Sequence, residues 1–83
     1  MSKPRRTLEA VFADPVRRNI NWKDIESMFK SYGAVIEERE GSRVAVMLNN
    51  IAAVFHRPHP RKEASKKSIR SVRRFLTNAG VTP

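Results

Sequence analysis

The pair Asn49-Asn50 constrains the fold of this chain more than any other feature, because it separates two alternating runs of equal length. The runs, Arg43–Leu48 and Ile51–His56, carry strongly apolar side chains at every second position, which is the period of a half-buried strand. Asparagine tolerates the positive φ that a two-residue hairpin turn requires. The sequence therefore predicts an antiparallel hairpin that turns at residues 49 and 50.

A two-residue turn also fixes the register of the two strands. Counting outward from the turn places Arg43 opposite His56 at the open end of the hairpin. The pairs of one face are strongly apolar: Leu48 with Ile51, Val46 with Ala53, and Val44 with Phe55. The other face carries Met47 with Ala52, Ala45 with Val54, and Arg43 with His56. Arg43 and His56 are thus predicted to lie side by side on the less buried face.

Three segments outside the hairpin have the spacing of amphipathic helices. The first is predicted from residue 5 or 7 to residue 13. The second begins after Asn21, a good N-cap residue, and ends at Gly33. The third covers residues 66–79 and begins after Ser65, another cap residue. Its apolar stripe indicates a helix with one buried face.

Residues 34–39 alternate like a third strand, so the predicted order is helix, helix, strand, strand, strand, helix. This order indicates the α+β class, with a three-stranded antiparallel sheet, helices packed on one face, and a short additional N-terminal helix. A chain of 83 residues has room for one domain. Within it we expect an N-terminal helix and connector over residues 1–19 and a core over residues 20–81.

The net charge of +9 is concentrated in the last third of the chain. Residues 57–83 hold eight basic residues and one acidic residue, Glu63. The predicted binding cations are Arg57, Arg61, Lys62, Lys66, Lys67, Arg70, Arg73 and Arg74. Five of them, from residue 66 onward, fall on the helix face opposite the apolar stripe. This asymmetry predicts a surface for a polyanion, although charge alone does not distinguish RNA from DNA.

Other features of the sequence limit the classes of protein to which the chain can belong. The chain has no cysteine, and its N-terminus lacks the apolar run of a signal peptide. No segment approaches the roughly 18 apolar residues of a membrane span. We therefore expect a cytoplasmic protein that has no membrane contact, no metal site and no small-molecule cofactor.

The histidines, His56 and His59, are the candidates for catalysis. Histidine can act as a general base near neutral pH, and arginine can stabilise a phosphorane. His56 and His59, with Arg43 as a transition-state or phosphate contact, would suffice for metal-free RNA cleavage by the 2′-hydroxyl. The alternative is that both histidines are structural or contact a partner.

Several short motifs resemble the HicA family of toxins. They are Gly41-Ser42 before the second strand, His59-Pro60 before the last helix, and Ala79-Gly80-Val81 at its end. The resemblance covers about residues 20–81, and residues 7–15 resemble an extension of one branch of the family. It implies a fold similar to double-stranded-RNA-binding domains, ribosome-independent mRNA cleavage, and neutralisation by a HicB antitoxin.

The resemblance also implies a catalytic histidine directly after Gly41-Ser42, where this chain has Arg43 and Val44. Three hypotheses follow: activity is lost, His56 substitutes, or the branch cleaves with another arrangement that uses His59. Residues 61–67 resemble the basic start of the last helix in double-stranded-RNA-binding domains, where lysines contact phosphates. The two functions that remain are an RNA-cleaving toxin and a non-catalytic module that binds RNA or the antitoxin.

Overall fold

The computed structural model describes residues 2–83 and contains three helices and one sheet. The elements are α1 (Lys3–Val11), α2 (Trp22–Ser31), β1 (Val35–Glu38), β2 (Arg43–Leu48), β3 (Ile51–His56) and α3 (Lys66–Asn78). The sheet is antiparallel with the order β1-β2-β3. This arrangement confirms the predicted α+β class and its N-terminal helix.

The predicted hairpin is present with the predicted ends and register. Asn49 and Asn50 have φ angles of 51° and 67°, as a two-residue turn of this kind requires. Arg43 pairs with His56, and the register continues without interruption to the turn. The prediction succeeds because both local turn chemistry and strand alternation favour the same pairing.

The hydrophobic core lies between one face of the sheet and the helices. Val44, Val46, Leu48 and Phe55 supply the sheet side, and the stripes of α2 and α3 supply the other. Trp22 is buried, with its ring centroid 5.8 Å from that of Phe55. α1 packs against α2 and α3, so it covers the helices rather than the sheet.

The predicted start of α1 was wrong by about one turn. The helix begins at Lys3, because the Ser2 side chain caps it by accepting a hydrogen bond from the Arg5 backbone N–H at 3.4 Å. Residues 3–6 carry no apolar stripe, so periodicity gave no signal there. The other ends differ from prediction by one or two residues: α1 ends at Val11, β1 covers Val35–Glu38, and α3 ends at Asn78.

The connector before α2 is paired with the loop before α3. The Ala64 backbone N–H donates to the Ile20 carbonyl at 2.9 Å, and the Trp22 N–H donates to the Lys62 carbonyl at 2.9 Å. Asn21 and Glu63 form a β-bridge between these two bonds. Two segments that are far apart in the sequence are thus held side by side.

Candidate functional site

A surface depression of about 760 Å³ brings both histidines together. Its lining includes Arg18, His56, His59, Arg61, Lys66 and Ser68. Glu63 also lines it and is the one carboxylate among the lining residues that the structure describes. The depression is therefore predominantly cationic, and it combines titratable imidazoles with groups that attract phosphate.

His56 is placed by the end of strand β3. Phe55 is buried on the inner face, so His56 lies on the outer face, where it is exposed. The ladder continues one residue further, because the Arg57 N–H donates to the Ser42 carbonyl at 2.9 Å. Arg43 and His56 therefore form a non-hydrogen-bonded pair, the type in which opposite Cα atoms approach to about 4.5 Å.

Arg43 lies beside this site rather than in it. Its Nε atom donates to the Glu40 carbonyl at 2.9 Å, which holds the guanidinium near the turn between β1 and β2. It is paired with His56 across the strands but is not among the residues that line the depression. Val44, in contrast, is completely buried, so only position 43 of the two can present a side chain to solvent.

His59 is placed by the irregular segment that leaves β3. Residues 57–60 form neither helix nor strand, as the two prolines predict. The depression is also lined by the first turn of α3, which Ser65 caps by accepting from the Ser68 N–H at 3.1 Å. The positive end of that helix and Lys66 reinforce the cationic character of the depression.

Half-buried Arg57 is held in place by two carboxylates. Its guanidinium forms two hydrogen bonds to Glu26, at 2.8 and 3.1 Å, and two to Glu38, both at 2.8 Å. Trp22 donates its indole N–H to the same Glu26 carboxylate. The hydrogen bonds to Glu26 and Glu38 raise the pKa of Arg57, and the hydrogen bonds from Arg57 lower the pKa of Glu38. Arg57 thus fixes the exit from β3, a role that the sequence did not show, while its assignment to RNA binding stays a prediction.

Arg73 is also engaged within the chain. Its Nε and Nη2 atoms donate to the Val11 carbonyl at 3.0 and 2.8 Å, and Nη2 also donates to the Ala13 carbonyl at 2.8 Å. The guanidinium lies 5.7 Å from the centroid of the Phe12 ring. Arg73 thereby satisfies free carbonyls at the end of α1. A helical wheel places it correctly on the cationic face but cannot show this tertiary partner.

The other six predicted binding cations have no ion pair with any residue between 2 and 83. They are Arg61, Lys62, Lys66, Lys67, Arg70 and Arg74. Within the same stretch of chain, no three His, Cys, Asp or Glu side chains are grouped so that they could hold a metal ion. No helix among the described residues is long and apolar enough to cross a membrane.

Comparison of the sequence with models of protein families shows to which family the chain belongs. A sequence profile described as the HicA toxin of bacterial toxin–antitoxin systems matches residues 22–81. The chain belongs to the HicA toxin family. No curated protein and no solved structure gives a match. The HicA profile begins at Trp22, so α1 and the connector that carries Arg18 lie outside the matched region.

Proposed function

We propose that this HicA-family protein is the RNA-binding toxin of its toxin–antitoxin pair and that it cleaves RNA without a metal ion. The observation that carries the proposal is the single depression in which His56 and His59 meet Arg18, Arg61 and Lys66. The two histidines can exchange protons with the reacting oxygens, and the cations can hold the phosphate.

The proposed reaction uses the ribose as nucleophile. One histidine accepts the proton of the 2′-hydroxyl as its oxygen attacks the adjacent phosphorus. Arg61 and Lys66 stabilise the extra negative charge of the phosphorane. The other histidine donates a proton to the departing 5′-oxygen, and the P–O bond to that oxygen breaks. The products are a 2′,3′-cyclic phosphate and a free 5′-hydroxyl.

The departure from the family pattern is compatible with this reaction. The family histidine is expected after Gly41-Ser42, and position 43 is the one that faces outward. His56 is its direct neighbour on the next strand. The neighbouring strand therefore supplies an imidazole, and we propose that Arg43 contacts a phosphate of the RNA just outside the depression.

The proposed RNA-binding surface consists of the predicted binding cations that have neither an ion pair nor a side-chain hydrogen bond among the described residues: Arg61, Lys62, Lys66, Lys67, Arg70 and Arg74. Lys62, Lys66 and Lys67 lie at or just before the start of α3, and Arg70 and Arg74 continue along its exposed side. Each phosphate that such a surface neutralises releases counterions, so affinity should fall steeply as salt rises.

Substitution of the histidines tests the proposal. We expect His56→Ala and His59→Ala each to slow cleavage of a single-stranded RNA by at least about 100-fold, because each removes a proton-transfer group. The dissociation constant for the RNA should change much less than the rate, because the cations of the proposed RNA-binding surface remain in both variants. Arg39→Ala serves as a control, because this cation pairs with Glu37 away from the depression. Full activity in both histidine variants would contradict the assignment.

A non-catalytic function is the second candidate, and the residues Arg43 and Val44 in the place of the family histidine favour it. On this alternative the protein binds RNA but leaves it intact. The wild type would then release no more product than the His56→Ala/His59→Ala double variant, while its affinity for the same RNA stayed salt-dependent.

We further propose that a HicB-like antitoxin covers the outer face of the sheet. Val35, Met47 and Val54 are 62%, 54% and 56% exposed there, next to His56 on the same face. An apolar patch of this kind is typical of a protein–protein contact. Met47→Lys should weaken the complex with the antitoxin and leave RNA affinity unreduced, and unchanged antitoxin binding would contradict the location.

A further inference from the structure

We infer that Arg18 binds a phosphate of the RNA beside the two histidines. Arg18 belongs to the N-terminal segment, which lies outside the residues that match the family. This inference rests on the proposed function and assigns a further RNA-contacting residue to it. Arg18 lines the same depression as His56 and His59, although its residue number differs from that of His56 by 38 (56 − 18).

The backbone next to Arg18 is held in place. Ile20, two residues further on, accepts a hydrogen bond from the Ala64 N–H at 2.9 Å, and the Asn21–Glu63 bridge follows it. This pairing sets the connector against the loop that forms another part of the same depression. The connector therefore forms a fixed wall of the site.

The N-terminal side of the connector is also anchored. Leu8 and Val11 of α1 are buried in the common core, at 1% and 0% exposure. Arg73 fixes the end of the helix through the Val11 and Ala13 carbonyls. Both ends of the segment that carries Arg18 are therefore attached to the matched core.

The chemistry of Arg18 suits a phosphate. It is exposed, and no ion pair joins it to another residue between 2 and 83. A guanidinium donates two parallel hydrogen bonds to a phosphate, which gives orientation as well as affinity. The other cations of the depression, Arg57, Arg61 and Lys66, come from residues 57–66, so Arg18 contributes a cation from a different segment of the chain.

Arg17 provides a matched control for Arg18. It is also exposed and carries the same charge, but it lines a separate depression together with Lys3 and Asp24. Arg17→Ala and Arg18→Ala therefore change the net charge equally. Only Arg18→Ala removes a cation from the depression that contains the histidines. Any general electrostatic effect should be common to both variants.

The experiment measures binding and cleavage of one single-stranded RNA oligonucleotide by the full chain at several salt concentrations. We expect Arg18→Ala to raise the dissociation constant, and KM where cleavage is seen, by roughly 3- to 10-fold. The slope of log affinity against log salt should become shallower by about 0.7, the value for one phosphate on a single strand. Arg17→Ala should stay within about twofold of wild type, and Arg18→Lys should recover part of the loss.

Equal effects of Arg17→Ala and Arg18→Ala would overturn the inference while leaving the proposed function intact. Wild-type protein that binds the RNA without cutting it would contradict the proposed cleavage, and the dissociation constants would then decide the role of Arg18. Wild-type protein that does not bind the RNA would overturn both. Thermal unfolding of each variant, expected to match wild type, separates a lost contact from a damaged fold.

Discussion

At the scale of single residues, Asn49 has two roles that the sequence shows only in part. Its positive φ suits the hairpin turn, and this role is readable from the residue type. Its side-chain amide also donates to the Ala79 carbonyl at 2.8 Å, which satisfies a free carbonyl at the end of α3. That second role depends on the folded structure. It explains why asparagine is useful where glycine would suit the turn alone.

Glycine substitution separates the two roles of Asn49. Asn49→Gly keeps the turn but loses the hydrogen bond to Ala79, so we expect a loss of about 0.5–1.5 kcal/mol in the free energy of unfolding. Asn50→Gly is the control, because it has the same kind of φ and should be neutral or slightly stabilising. Urea unfolding measures both. Equal stabilities would show that the bond to Ala79 contributes nothing.

The carboxylate of Glu38 links stability to pH. Hydrogen bonding to Arg57 lowers the pKa of Glu38 in the folded protein. A group with a lowered folded pKa stabilises the protein above its unfolded pKa, and this contribution disappears as the pH falls through the folded pKa. Glu38→Gln should therefore lower the unfolding temperature at pH 7. The unfolding temperature of this variant should also fall less steeply toward acid pH than that of the wild type.

Glu40→Gln is the control for this measurement, since no side-chain ion pair of Glu40 with another residue in the range 2–83 is present. Its unfolding temperature should follow that of the wild type from pH 7 to pH 3. If Glu38→Gln followed the same curve, the bond between Glu38 and Arg57 would not contribute to stability in solution.

At the scale of elements, the success of prediction depended on whether local signals agreed. The hairpin was predicted with correct ends because turn chemistry and alternation both indicate it. The stripe of α3 was likewise predicted, and Ile69, Val72, Phe75 and Leu76 are all buried. The first turn of α1 has a cap but no stripe, so its start was missed. Its attachment to Arg73 is a long-range contact that no local pattern shows.

Arg73 should contribute to stability in a way that its neighbour Arg74 does not. Arg73→Ala removes charged donors to the Val11 and Ala13 carbonyls, so we expect a loss of about 1–2 kcal/mol in the free energy of unfolding. Arg74→Ala removes the same charge from an exposed position of the same helix and should change stability by less than about 0.5 kcal/mol. Equal losses in urea unfolding would show that α1 is not anchored through Arg73.

We propose that α1 unfolds together with the family core, because its buried residues belong to the same hydrophobic cluster. The expected result is one transition for the whole chain, seen alike by far-ultraviolet circular dichroism and by Trp22 fluorescence. Loss of α1 in a separate, earlier transition would divide the chain into two units.

At the scale of the whole molecule, the candidate site is assembled from segments that the sequence keeps apart. The positions of His56 and His59 at the exit from β3 followed from the predicted register and the two prolines. The wall that carries Arg18 could not be predicted, because it depends on pairing between residues 20–22 and 62–64. Net charge indicated a polyanion, but only the fold shows which cations surround the histidines.

We propose that the two histidines cleave RNA through its own 2′-hydroxyl. The most direct test incubates the protein with an oligodeoxynucleotide that contains one ribonucleotide, in the presence of a metal chelator. We expect cleavage after that ribonucleotide, with a 2′,3′-cyclic phosphate at the new end, and none in the His56→Ala/His59→Ala double variant. Three results would contradict this mechanism: an intact oligonucleotide, cleavage that persists in the double variant, and cleavage that stops when the chelator is added. Each of them must also be obtained with an all-RNA substrate.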